Sequence, residues 1–91
     1  MFWTQPAQED LGRIDDVLFL FDPAYAYRVG LAAIESAKFL TKWPGAGELL
    51  DSGKHKWRVE NTPYLLFYRL AEGRIEILRV RHDRENWRDE E

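Results

Sequence analysis

Seven residues in the second half of the chain hold most of its chemical potential: Lys56, Arg58, Arg79, Arg81, His82 and Arg84, followed by Trp87. Lys56 and Arg58 stand two apart, as do Arg79 and Arg81, so on strands each pair projects from one face. If those faces coincide, four cations line one side of a sheet. Such a row can hold backbone phosphates, and beside a scissile phosphate it stabilises charge developing in the transition state. His82, as an imidazole, suits acid–base work there, while Trp87 suits stacking on a base or filling a partner's groove. Each also has a plainer reading: His82 as a strand-end cap, Trp87 as a plug closing the core's open end, and the cations as solvent faces of strands.

Other chemistries are poorly supplied. The 91 residues contain no cysteine, so there is no disulfide, thiolate nucleophile or thiolate metal site. His55 and His82 are the only imidazoles and no H-E-x-x-H pair occurs, so neither metal nor cofactor is expected. Ser36 and Ser52 lack a nucleophile-elbow context, and the G-x-G of "WPGAGELLDSG" lacks both a third glycine and a Gly-Lys-Ser/Thr, so this segment reads as a connector. The Asp15-Asp16 pair falls on the outer face of a helix, where solvation explains it. Net charge is −3, unevenly spread as −4 over 1–53, +4 over 54–81 and −3 over 82–91. A basic middle between acidic ends can steer an acidic partner through its local field. No run is apolar enough to span a membrane and the N-terminus lacks a signal-peptide pattern, which predicts one soluble cytoplasmic domain over 1–91.

The elements that must position these residues follow from periodicity. Leu11, Ile14, Val17, Leu18 and Phe21 recur at helical spacing, with Glu9, Asp10, Arg13, Asp15 and Asp16 on the other side. Gly12 inside this helix costs about 1 kcal/mol relative to alanine, so docking must hold it. Asp22-Pro23 caps and starts a second helix, whose stripe of Ala26, Val29, Ala33, Ala37 and Leu40 allows close approach. The two form a helical hairpin over about 6–42, with Trp43 beside Pro44 as an anchor. From Lys54 the period becomes two, with His55, Trp57 and Val59 opposite Lys56, Arg58 and Glu60. "PYLLFYRL" reads as a central strand, Glu72-Gly73 as a tight turn, "RIEILRV" as the returning strand, and 83–91 as a solvated tail. The expected fold is α+β: a helical hairpin on one face of a three-stranded antiparallel meander spanning about 54–82, with Phe2–Thr4 as a fourth edge strand.

The order of helical hairpin, "WPGAGELL", basic strand, "PYLLFYRL", tight turn and "IEILRVRHDRENW" resembles the ParE/RelE superfamily of type II toxin–antitoxin toxins over nearly the whole chain. RelE-like members cleave messenger RNA on the ribosome with several basic residues and a C-terminal aromatic; ParE-like members share the fold and poison DNA gyrase. The resemblance places Lys56 and Arg58 where the nucleases keep two basic residues. Against that, Leu65 stands where those nucleases carry an arginine, and Arg81 or Arg84 matches their last-strand arginine only loosely. It therefore implies a ParE-like toxin that arrests growth, with no catalytic residue and with Arg58, Arg79, Arg81, His82, Arg84 and Trp87 as target contacts. The alternative is an endoribonuclease in which Lys56, Arg58 and Arg81 stabilise phosphate charge while His82 or Arg84 handles the proton; a non-toxic antitoxin-binding relative is the third possibility. The implied partner is a small ParD-like antitoxin laid across the hairpin and a sheet edge, through Leu11, Ile14, Leu18 and Tyr25. Operator DNA would be reached only through that antitoxin, and plasmid stabilisation is the role such modules imply.

Overall fold

In the computed structural model, which describes residues 1–90, two side-chain caps set both helices. Thr4 accepts a hydrogen bond from the Ala7 N–H at 3.3 Å, and with Pro6 in the first turn it starts α1, Gln5–Phe21. The Asp22 N–H then closes α1 on the Leu18 carbonyl, while its carboxylate accepts from the Tyr25 N–H at 3.1 Å and starts α2, Pro23–Lys42. One residue therefore ends one helix and begins the next. The expected stripe on α2 is buried as read, with Ser36 added to it.

Five strands follow from the remaining segments: β1 (Phe2–Trp3), β2 (Glu48–Leu49), β3 (His55–Arg58), β4 (Tyr64–Ala71) and β5 (Arg74–His82), in the order β1-β5-β4-β3-β2. This corrects the expected three to four antiparallel strands. The connector "WPGAGELL" ends in β2 and pairs with β3, and β1 lies parallel to β5, an arrangement permitted by the long hairpin crossover between them. Gly47 makes the connector's path possible: its N–H donates to the Tyr68 hydroxyl at 2.9 Å, and a Cβ there would sit 2.6 Å from that oxygen. Between β4 and β5, Glu72 and Gly73 both take positive φ, the geometry of a two-residue hairpin loop.

The register contains one irregularity with large consequences. Phe67 pairs with Arg79 but Tyr68 pairs with Ile77, so Leu78 is an extra residue, a β-bulge. Strict alternation would put Ile75, Ile77, Arg79 and Arg81 on one face. The bulge instead lets Ile75, Ile77 and Val80 join the helix-facing core with Tyr64, Leu66 and Tyr68, and turns Arg79 and Arg81 to the other side.

Several expectations about burial are corrected. Asp10 is buried rather than solvent-facing, because the helix seats it over the edge of β5. Val17 and Phe21 are exposed, since burial falls away along α1 toward the hairpin tip, and Trp43 is also exposed at the end of α2. The expected solvated tail is corrected at one residue: Arg84–Asn86, Arg88 and Asp89 are exposed, but Arg88–Glu90 form a 3-10 turn and Glu90 is only 6% exposed, while Glu91 lies outside the described residues.

Candidate functional site

The outer face of the sheet carries two cross-strand rows. Lys56, Phe67 and Arg79 form one; Arg58, Leu65 and Arg81 form the other. The basic faces of β3 and β5 therefore coincide, as the conditional sequence reading required. Beneath them lies a small apolar cluster of Leu50, Leu65 and Phe67, closed by Trp87, whose ring centroid is 5.9 Å from that of Phe67. Trp87 thus closes a core, and it also lies under a cation, with Lys56 Nζ 4.1 Å from its ring centroid. An open groove of about 540 Å³ runs over this surface, lined by Glu48, Lys56, Trp57, Arg58, Leu65, Asp83, Arg84 and Trp87.

Each cation of the rows is met by a carboxylate of the same chain. Lys56 lies 3.3 Å from Glu48 and Arg58 lies 3.1 Å from Asp83, with Arg58 also donating to the Thr62 carbonyl. Arg81, mostly buried, reaches Glu90 at 3.0 Å, Glu85 at 3.4 Å and Asp89 at 3.5 Å. Glu90 is held in turn by Lys54 at 3.1 Å, while the Ser52 hydroxyl donates to its carbonyl. Burial pushes the Glu90 carboxyl up, but hydrogen bonds and charge from Lys54 and Arg81 outweigh this and leave it below its ordinary value of 4.5. The Arg81 guanidinium is pulled down by burial, yet Glu90 raises it on balance.

Arg79 is used differently. Its guanidinium makes a two-pronged contact with Asp10, at 2.7 and 3.0 Å, and the Val80 N–H and Arg13 complete the carboxylate's partners. Burial raises the Asp10 carboxyl, but the Arg79 hydrogen bond and the Val80 N–H hold it below its ordinary 3.8. This side chain ties α1 to β5, at a distance from the groove lining.

Of the expected target contacts, Arg58, Arg84 and Trp87 line the groove, Arg81 lies beside it under its acidic clasp, and Arg79 is withdrawn to Asp10. His82 adjoins the groove only through its neighbours: its Nδ1 lies 3.2 Å from Asp83, which pairs with Arg58, while its ring packs the other way. It pairs with Tyr64 on the helix-facing side, edge-on at 5.3 Å, and its Nδ1 accepts from the Arg84 N–H at 3.1 Å. The strand-cap reading fits this placement. Of the expected antitoxin contacts, Leu11, Ile14, Leu18 and Tyr25 are half-buried against the core. Only Leu11 also lines a second, largely apolar groove of about 560 Å³ on the hairpin, with Trp3, Gly12, Gly30 and Ile34 and with Gln8 and Asp15 as its polar members. Glu48, Asp83 and Glu90 are the residues that the sequence reading missed. For Asp83 and Glu90 the mixed signs of "RHDRENWRDEE" were the available signal, because such a run can fold back on itself; Glu48, in the connector, carried none. Among the described residues, no group of three or more His, Asp or Glu side chains is placed to hold a metal ion.

Residues 1–87 match the family described as the ParE toxin of the type II toxin–antitoxin system parDE. A curated relative, Toxin RelE2 of Caulobacter vibrioides, is 34% identical over 80 residues, spanning 88% of this chain and 90% of that protein. The solved chromosomal ParDE toxin–antitoxin system from P. aeruginosa contains a chain of similar fold, with a TM-score of 0.77 and 27% identity, covering 88% of this chain and 90% of that one.

Proposed function

The chain belongs to the ParE toxin family of type II toxin–antitoxin modules, and from that premise we propose that it arrests growth by holding DNA gyrase rather than by cutting RNA. One observation carries this reading: the centre of the outer face is Leu65, 4% exposed between Arg58 and Arg81, whose charges are already met by Asp83 and by the C-terminal acids. A site that cleaves RNA needs cations free for the phosphate and a proton donor beside them. Here Lys56, Arg58 and Arg81 already face carboxylates and the His82 ring packs toward Tyr64 on the helix side, which suits recognition of a protein surface. Purified toxin is expected to block supercoiling or to stabilise cleaved DNA in a gyrase assay. Unaffected gyrase together with cleavage of ribosome-bound messenger would overturn the reading.

The endoribonuclease alternative keeps one specific support: Lys56, Arg58 and Arg84 line one groove, and the curated relative carries a RelE name. In that reading, Lys56→Ala/Arg58→Ala abolishes toxicity without unfolding the domain. Persistent toxicity of the double variant would remove it.

As the toxin of such a module, the protein has a cognate antitoxin, and a ParD-like one fits the apolar groove on the hairpin. Gly12 and Gly30 contribute no side chain there, so a helix or extended tail can approach the backbone closely. Binding would stabilise the toxin by mass action, so the complex should melt above the toxin alone, and operator DNA would be met only through the antitoxin. Gyrase would place its action in the cytoplasm.

A further inference from the structure

The tip of the helical hairpin breaks three rules of surface construction at once. Phe19, Leu20 and Phe21 are 60%, 81% and 82% exposed. At about 100° per residue they point in three directions, so the last turn of α1 is apolar all round rather than along one stripe. Asp15 and Asp16 lie just before this turn and Asp22 just after it, and there is no basic residue in the turn to meet them. Among the described residues, none of the three carboxylates forms an ion pair. Arg13 is committed to Asp10, and Arg28 lies over the Tyr25 ring. Only Asp22 has a structural use here, as the cap of α2. Local choices that oppose folding without compensation inside the fold mark sites kept for another purpose.

We propose that this tip is a plug that inserts into an apolar pocket, rimmed by Lys or Arg, on the folded protein that the toxin attacks. The shape argues for a concave partner. An antitoxin tail that orders on binding is convex and fits the hairpin groove at Gly12 and Gly30, whereas a knob apolar on every side loses its water only inside a preformed cavity. The charge argues for a basic rim. Three unpaired carboxylates gain most where cations meet them, and they disfavour an anionic lipid surface. The inference rests on the reading that the toxin holds a protein target, and it assigns the contact to a part of the molecule remote from the cationic groove.

The test uses full-length Leu20→Ser/Phe21→Ser and Asp16→Lys toxins beside wild type, leaving Asp15 unchanged because it borders the hairpin groove. Because the substituted side chains are exposed, both variants should fold, with the melting temperature unchanged. Each is expected to lose growth arrest on induction without antitoxin and at least about tenfold in affinity for purified gyrase, as central apolar anchors do. Each should still bind the antitoxin as wild type does. Folded variants that arrest growth and bind gyrase like wild type would overturn the plug. Variants that lose the antitoxin but keep growth arrest would also overturn it, assigning the tip to the antitoxin. If wild type fails to bind gyrase while the variants lose growth arrest, the gyrase reading falls and the plug stands for another folded target.

Discussion

On the helix side of the sheet, Tyr64, Leu66, Tyr68, Ile75, Ile77 and Val80 pack against Val29, Ala33, Ala37 and Leu40, a core made of uncharged side chains. On the outer side, only Leu50, Leu65, Phe67 and Trp87 make an apolar cluster, and Lys56, Arg58 and Arg81 lie over it with their carboxylates. The same strands build both surfaces. Stability is concentrated on the first, because apolar burial contributes far more than pairs of partly exposed charges. The second is thereby free to carry recognition, at small thermodynamic cost to the fold.

That division can be broken most decisively by truncation on each side. Leu66→Ala should cost about 4 kcal/mol in urea unfolding, since Leu66 is 0% exposed within the larger core, while Leu65→Ala should cost nearer to about 2 kcal/mol because its cluster can collapse toward the groove. Equal losses would mean that the two faces share the burden. Next in size, Gly47→Ala should cost about 1–3 kcal/mol by driving a methyl group into the Tyr68 hydroxyl, an overpacking effect at the edge of the helix-side core. An unchanged melting temperature would show that the connector can shift without loss.

Asp10 lies where the two sides meet, and its effect should depend on pH. Asp10→Asn is expected to cost about 1–3 kcal/mol at neutral pH, because Arg79 loses its charged partner. The native carboxyl lies below its ordinary value of 3.8, so the unfolded chain binds the proton first as pH falls. The contribution is therefore complete above that ordinary value and is lost as pH drops through the lowered native one. Wild type and variant should converge in stability in that acid range, and a gap independent of pH would contradict the assignment. The smallest effect belongs to the outer face: Lys56→Ala, whose partner Glu48 is exposed, should cost below about 1 kcal/mol, shrinking further as salt is added.

The sequence alone carried the helical hairpin, its Asp22-Pro23 junction, the central strand and the Glu72-Gly73 turn, because each is a local signal of spacing or capping. It also paired Lys56 with Arg58 and Arg79 with Arg81, since alternation along a strand is local too. Whether those pairs meet was decided by the β-bulge at Leu78, one extra residue whose cause lies in the packing of Ile75, Ile77 and Val80 against the helices. Tertiary structure likewise drew Asp10 into the core, turned the His82 ring toward Tyr64 and brought Glu90 onto Arg81, contacts spanning up to 70 positions in the chain. Periodicity reports which residues share a face of one element; the partners across elements, and hence which charges remain free for a ligand, depend on register and docking that no local pattern encodes.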